Sequence, residues 1–335
     1  MLRLFSPVRL LVAGLLVAAV AVTLWILPTE SYIFLPNSAH AVAPLVEVEG
    51  GKDPKSGGIF YVDVLVRKAT LVERLFPGLR EGATVVPAEQ VRPPGVSDDQ
   101  RREEELQEMQ MSQRVAAAVA LRELGYKVVA KPIGARIEFV DPEAPAAGKL
   151  RSGDVVTSAG GKPVRGPSGL RRAIRESGTG RDVLLLAKRG EQQVEVSVRP
   201  SNGPEGTPMI GVIVSQAADI KLPIDVEIDT DGVGGPSAGL AFALDVLEEL
   251  GRDVDHGNRV AVTGALELDG TVGEIGGIKQ KTIGVERAGI KVFLVPAGEN
   301  AAEARRYADG IQIVPVTSFQ QALRRLATLP QTAQD

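Results

Sequence analysis

The pattern of apolar and polar positions opens with an uninterrupted apolar run. Residues Leu10 to Leu27 carry no charge over 18 positions. As a helix this run is about 27 Å long, close to the roughly 30 Å hydrocarbon core of a bilayer. Arg3 and Arg9 precede it, and Trp25 lies near its far end. Basic residues stay on the cytoplasmic side and Trp favours the interface. The pattern therefore predicts a single-pass anchor over residues 1–30, with the amino terminus in the cytoplasm and everything after it extracytoplasmic. A cleaved signal peptide is the competing reading, with Ser38 to Ala41 as a small-residue cleavage site. That site lies well past the run, and the run exceeds the roughly 7–15 residues of a signal peptide's apolar core.

Beyond the anchor, Ser31 to Val42 reads as a Pro-containing linker. Val46-Glu-Val-Glu and Ile59 to Val66 read as two strands around a turn at Gly50 to Gly58. Pro87 to Asp99 is loop-like. Asp98 to Gly125 has a helical pattern, charged in its first half and apolar at Val115, Val119 and Leu121 in its second. From Gly134 to Pro200 the pattern changes to a β-rich module. It holds a strand at Ala135 to Val140, then Pro145-Ala-Ala-Gly-Lys-Leu, Gly153-Asp-Val-Val, a Gly160-Gly161 turn, a helix near Ser168 to Glu176, and strands at Val183 to Lys188 and Gln193 to Val198. This succession resembles a PDZ domain of bacterial proteases, a partly open barrel. In such domains a peptide adds as an extra strand along a sheet edge. The resemblance places that edge at Ala135 to Val140, so Ile133, Gly134, Ala135, Arg136 and Ile137 are the candidate peptide-binding residues. The Pro132-Ile-Gly-Ala segment departs from the Gly-Leu-Gly-Phe-like signature that holds a terminal carboxylate.

Composition narrows the chemistry. The formal net charge is −4 with no long basic stretch, which argues against a nucleic-acid partner. No cysteine is present, which removes disulfides, thiolate metal sites and cysteine nucleophiles. The two histidines are His40, in the linker, and His256, in a polar turn. A triad built on histidine is therefore poorly supplied.

A different constellation carries the chemistry. The strand Ile224 to Ile228 is followed by Asp231-Gly-Val-Gly-Gly-Pro-Ser-Ala-Gly and an apolar helix from Leu240 to Leu250. Ser237 thus sits where a Gly-rich loop becomes a helix. Pro236 suits the first helical turn, and free N–H groups at a helix start favour developing negative charge. A plain helix cap is the alternative role for this serine. Farther along, a helix opens near Ile278. Residues three and four apart share a face, so Ile278, Lys281, Thr282 and Val285 face the core, while Lys279 points elsewhere. A lysine turned into an apolar environment loses its proton more readily and becomes a general base. A serine beside such a base is an activated nucleophile.

These residues resemble the proteolytic domain of the Lon protease family. The resemblance rests on Gly235-Pro-Ser-Ala-Gly, Thr263-Gly, Ile275-Gly-Gly-Ile-Lys-Gln-Lys, Arg287-Ala-Gly-Ile-Lys and Leu294-Val-Pro with Glu299-Asn, and it covers Leu222 to Ala327. It implies Ser237 as nucleophile, Lys281 as base and Thr263 as the residue that orients the lysine, with backbone around Gly235 near the oxyanion. Two carboxylates of the family pattern are missing. Gly234 stands three residues before the serine where Asp is usual, and Ala265 follows Thr-Gly where Glu is usual.

The expected fold class is an α/β (α+β) Lon-type domain with an embedded PDZ domain and one N-terminal transmembrane helix. Residues 31–125 supply a linker and early protease elements, 126–204 the PDZ domain and 205–330 the proteolytic domain. The combination resembles bacterial membrane-anchored PDZ–Lon-like proteins. No Gly-x-x-x-x-Gly-Lys-Ser/Thr loop occurs, so the expected activity is ATP-independent, with neither metal nor cofactor. The expected partners are protein or peptide substrates and the membrane. A homo-oligomer remains open, as does a non-enzymatic scaffold that retains the site as a vestige.

Overall fold

The computed structural model describes residues 7–52, 58–91, 97–203 and 206–330. Arg3, and parts of the turn expected at Gly50 to Gly58 and the loop expected at Pro87 to Asp99, lie outside them. The apolar run forms helix α1 (Pro7–Ile26). Most of its described side chains are exposed, including Leu11, Leu15, Val17 and Trp25, and Leu24 is half-buried. Among the described residues no helix is long and apolar enough to cross a membrane. Side chains at positions 7, 9, 10, 20 and 21 of α1 are not among those described.

The expected linker is instead strand β1 (Pro28–Ala41). Its Tyr32 and Ile33 are buried, so the segment behaves as core and not as tether. It pairs antiparallel with β3 (Gly58–Thr70) on one side and, over Ser31 to Phe34, with β4 (Thr84–Pro87) on the other. Pro36 lacks a donor N–H. It lies beyond the stretch paired to β4, and the register with β3 shifts between Pro36 and Ala39, the kind of position where a sheet tolerates proline. The strands expected at Val46 and Ile59 both form, but they do not pair with each other. β2 (Val46–Val48) pairs with β13 (Val226–Ile228).

The main sheet runs β18 (Gln312–Val316), β17 (Val292–Pro296), β14 (Arg259–Val262), β3, β1, β4. Its β18–β17–β14–β3 part is parallel and the rest antiparallel. Side chains on a strand alternate between faces, and β14 shows the result. Val260 and Val262 join one core with Phe242, Leu244 and Val119, while Ala261 joins another with Val285 and Phe293. The first face carries α3 (Asp98–Glu123), α5 (Gly239–Glu249) and α8 (Phe319–Leu326); the second carries α6 (Ile278–Arg287) and α7 (Glu299–Tyr307). The fold is mixed α/β. A short helix α2 (Leu71–Leu75) follows β3, closed by a Thr70–Glu73 capping box.

A second antiparallel sheet is inserted after α3. Its order is β12 (Val212–Lys221), β5 (Val129–Val140), β6 (Val155–Ala159), β8 (Val183–Arg189), β9 (Gln192–Val198), with β7 (Lys162–Pro163) beside β6. A small hairpin, β10 (Ser201–Asn202) with β11 (Pro208–Met209), precedes β12. Helix α4 (Pro167–Ser177) closes a separate core with Leu170 and Ile174 against Ile137, Val156 and Leu185.

Two expectations change here. β5 pairs with β12 along its length and with β6 at Ala135 and Arg136. It is an interior strand, so Ile133, Gly134, Ala135, Arg136 and Ile137 cannot offer an edge to a peptide. Ala135 and Ile137 are fully buried, and a Cβ on Gly134 would run into the Val156 carbonyl. The end strands of this sheet are β12 and β9. The sheet of the module also runs on to Lys221, past the expected boundary at residue 204.

The β5–β12 ribbon joins the two cores. Its far end, Val140 with Val212, lies in the module. Its near end brings Ala218 and Ile220 into the core that holds Phe242. Truncating Ile137 to Ala leaves a cavity, and such changes cost about 2–5 kcal/mol. Because the ribbon is shared, Ile137→Ala is expected to lower the melting temperature of one common transition. Calorimetry of the full chain checks this, and two separated transitions would contradict it.

Candidate active site

The serine loop follows β13. Asp231 has φ 47°, Gly232 φ 78° and Gly235 φ 88°, so the chain turns sharply before a 3-10 turn at Pro236–Ala238 that leads into α5. The loop is fastened to α3. The Gly235 N–H donates to the Glu105 carbonyl at 2.9 Å, and Ser112 Oγ donates to the Pro236 carbonyl at 3.1 Å. A Cβ on Gly234 would lie 2.7 Å from the Glu105 Cβ. The approach of α3 thus excludes any side chain at the position where the Lon pattern has Asp.

Thr263 follows the carboxyl end of β14 and is fully buried. Its Oγ1 donates to the Ser237 carbonyl at 3.1 Å, and the Gly264 N–H donates to the same oxygen at 2.8 Å. The backbone of the serine turn is therefore stitched to the end of the central strand. From the opposite face of the sheet, α6 supplies Lys281. Gly277, left-handed at φ 69°, starts that helix. Ile278, Lys281, Thr282 and Val285 are all buried, as the helical spacing predicts.

The Lys281 Nζ lies 2.7 Å from Ser237 Oγ and 3.2 Å from Thr263 Oγ1. Burial pushes its amine down to about 8, while the charge of Asp63 acts in the opposite direction. Ser237 itself is half-buried. The first N–H groups of a helical turn have no partner within it, but the Gly235 N–H, expected near the oxyanion, is taken by the Glu105 carbonyl and is not free for that role. Lys279 points away, its Nζ 3.3 Å from the Ala83 carbonyl and 5.5 Å from the centre of the Tyr307 ring.

The helix pattern of α6 did not reveal Asp63, because this acid arrives from β3. Asn37 Nδ2 donates to both Asp63 oxygens at 3.0 Å, and His40 Nε2 lies 3.3 Å from Oδ1. His40 is thus part of β1 beside this carboxylate and not of a tether. The available signal was a lone carboxylate within the apolar strand Ile59 to Val66. His256 sits in its turn at φ 53° beside Asp253. Among the described residues, Glu248, Asp253 and Asp255 gather closely enough to hold a cation. Glu248 and Asp255 already accept backbone N–H groups from Val254, Asp255, Gly257 and Gly58.

The structure does not bring Ile133 to Ile137 to the dyad. A cleft beside the serine turn instead lies between Ser112, Pro236 and Leu266 on one side and Val214, Gln216 and Arg171 of the inserted module on the other.

Comparison with known proteins finds relatives of both parts of the chain. Residues 224–328 match the family model of the Lon protease (S16) C-terminal proteolytic domain, and residues 108–199 match that of the PDZ domain. Lon protease 2 of Bacillus subtilis (strain 168) is 34% identical over 113 residues, 33% of this chain and 20% of that protein. Lon protease of Mesomycoplasma hyopneumoniae (strain 232) is 38% identical over 153 residues, 42% of this chain and 17% of that protein. The chain thus spans only about a fifth of the length of these curated relatives. The solved PDZ domain of an SdrC-like protein from Listeria innocua is 28% identical, covering 24% of this chain and 92% of that one with a TM-score of 0.23. The chain carries a Lon-type proteolytic domain in its carboxyl-terminal third, preceded by a PDZ domain.

Proposed function

We propose that the chain is a membrane-anchored, ATP-independent serine endopeptidase. The observation that carries the reading is the buried Lys281 amine 2.7 Å from Ser237 Oγ. With its amine lowered to about 8, Lys281 is neutral in a useful fraction of molecules near neutral pH, and its lone pair takes the Ser237 proton. The hydroxyl oxygen attacks the scissile carbonyl while the oxyanion rests on N–H groups of the serine turn. The lysine then returns the proton to the leaving amine, which departs as the C–N bond breaks. Water hydrolyses the acyl-enzyme by the same route, giving its proton to Lys281. Thr263 holds the amine in line throughout. Protein or peptide chains are the substrates, and the PDZ domain contributes to their recognition. Support for the anchor is the uncharged run from Leu10 to Leu27 and the exposure of most of the described side chains of α1.

Ser237→Ala and Lys281→Ala are each expected to abolish cleavage of an unfolded protein, and Lys279→Ala to retain most of it. Because the neutral amine is the working form, kcat/KM should rise with pH and level off above about 8. A flat profile, or loss of activity in the Lys279 variant alone, would contradict the assignment.

The same amine makes a stability prediction with a defined sign. Its ordinary value is 10.5 and its folded value about 8. The folded state therefore disfavours the charged form, a penalty of about 3 kcal/mol at pH 7, at 1.36 kcal/mol per unit. The penalty is full below about pH 8 and vanishes as pH rises past 10.5. Lys281→Met should raise the melting temperature at pH 7 and lose that advantage near pH 11.

For topology, protease added to intact cells with the outer layer opened should digest the PDZ region. Protection until the membrane is breached would reverse the orientation. A mature amino terminus near Val42 would show cleavage in place of anchoring.

A further inference from the structure

Lys281 and Thr263 are connected through a short hairpin, β15 (Ala265–Leu266) with β16 (Val272–Gly273). Thr263 lies two residues before it, and Glu274 to Gly277 lead from it into α6. At the hairpin's turn stands Glu267, with its side chain only 4% exposed. A buried carboxylate is costly unless it is paired and hydrogen-bonded. Both of the groups that compensate it come from the PDZ domain. The Ser168 N–H donates to Oε2 at 2.9 Å, and the Arg171 guanidinium pairs with Oε1. Ser168 Oγ also reaches Asp269 at 3.3 Å. Helix α4 is thus shared between domains. Leu170 and Ile174 fill the PDZ core, whereas Ser168 and Arg171, three apart on another face, grip the hairpin. Arg171 also lies over Gly273, where a Cβ would sit 3.4 Å from its Nη2. On the other sides the hairpin is held by Arg122 to the Leu268 carbonyl and by Asn300 to Ile275. Those contacts are to backbone and leave the Glu267 charge to α4.

We propose that Glu267 is a positioning residue through which α4 of the PDZ domain, by way of Arg171, holds the catalytic hairpin in register with the Ser237–Lys281 dyad. The PDZ domain then acts on cleavage of every substrate, including peptides too short to touch it. This rests on the proteolytic reading above.

The test uses the full chain, with Ser237→Ala as blank, and compares wild type, Arg171→Gln, Arg171→Lys, Glu267→Gln and the Arg171→Gln/Glu267→Gln double variant. One readout is steady-state cleavage of a short fluorogenic peptide. The other is amide hydrogen exchange at Glu267 and Val272, which needs no turnover. Small misplacements of reacting groups act steeply on rate. Arg171→Gln and Glu267→Gln are therefore expected to lower kcat about tenfold or more with KM within about twofold. The double variant should fall no further than the worse single one, Arg171→Lys should recover part of the loss, and exchange at both amides should accelerate. Unchanged kcat and exchange in variants that melt like wild type would overturn the proposal. So would a loss confined to KM, or a double variant whose losses multiply. If the wild type itself shows no Ser237-dependent cleavage, the proteolytic reading fails and exchange alone decides. Acceleration at Glu267 and Val272 would then keep the hairpin coupling, and its absence would remove it.

Discussion

The burial of one amine organises this active site. Lys281 can approach Ser237 as a base only if water is kept from it, and keeping water away requires walls on every side. Those walls come from distant parts of the chain. Ile278 and Val285 line its own helix, Thr263 closes the end of β14, and the serine turn covers the remaining side. Asp63 acts against the burial, and its charge is itself engaged by Asn37 and His40 from β1. Strands β1 and β3 therefore bear on a lysine more than two hundred residues later. A desolvated lysine with no nearby acid would stay neutral but poorly ordered. One with a close acid would stay charged. Burial outweighs the charge of Asp63 and leaves the amine near 8, a value suited to a general base near neutral pH.

Much of the dyad was legible because its signals are local. The spacing of Ile278, Lys281, Thr282 and Val285 on one helix shows which of two neighbouring lysines turns inward, and the glycines before Pro236 announce a turn that only permissive residues can make. What was not legible depends on pairing between distant segments. The Ala135 to Val140 stretch has the pattern of a strand, but nothing in that stretch says whether one or both of its edges are taken. Its second partner, β12, lies some eighty residues on, and that partner turns the expected edge into an interior strand. The linker expected at Ser31 to Val42 failed for the same reason. Its proline, Pro36, suggested a tether, while its burial against β3 and β4 is decided by sequence farther downstream. Asp63 was missed because a search for an acid along α6 could not see one delivered by β3.

The two positions where this chain departs from the Lon pattern have different physical settings. At Gly234 there is no room. Helix α3 passes so close that a Cβ would collide with Glu105, and the same helix takes the Gly235 N–H. The serine turn is thus held to a helix by the Glu105 carbonyl and the Ser112 hydroxyl, with no carboxylate at position 234. Ala265 is different. It begins the hairpin whose buried carboxylate, Glu267, stands two residues farther on and is neutralised from the PDZ domain. Packing against α3 thus fills the first of these positions, and a buried ion pair with the PDZ domain stands two residues beyond the second.

That arrangement bears on why the PDZ domain is inserted and not appended. A domain on a flexible tether can collect substrate but cannot transmit strain. This one enters and leaves through the β5–β12 ribbon, whose near end is packed in the proteolytic core, and it is fastened a second time where α4 meets Glu267. Two attachments at separate points remove most of the freedom of a hinge. The cleft between them is walled by the edge strand of one domain and the serine turn of the other. The β12 residues Val214 and Gln216 and the serine-turn residue Pro236 thus line the same cleft.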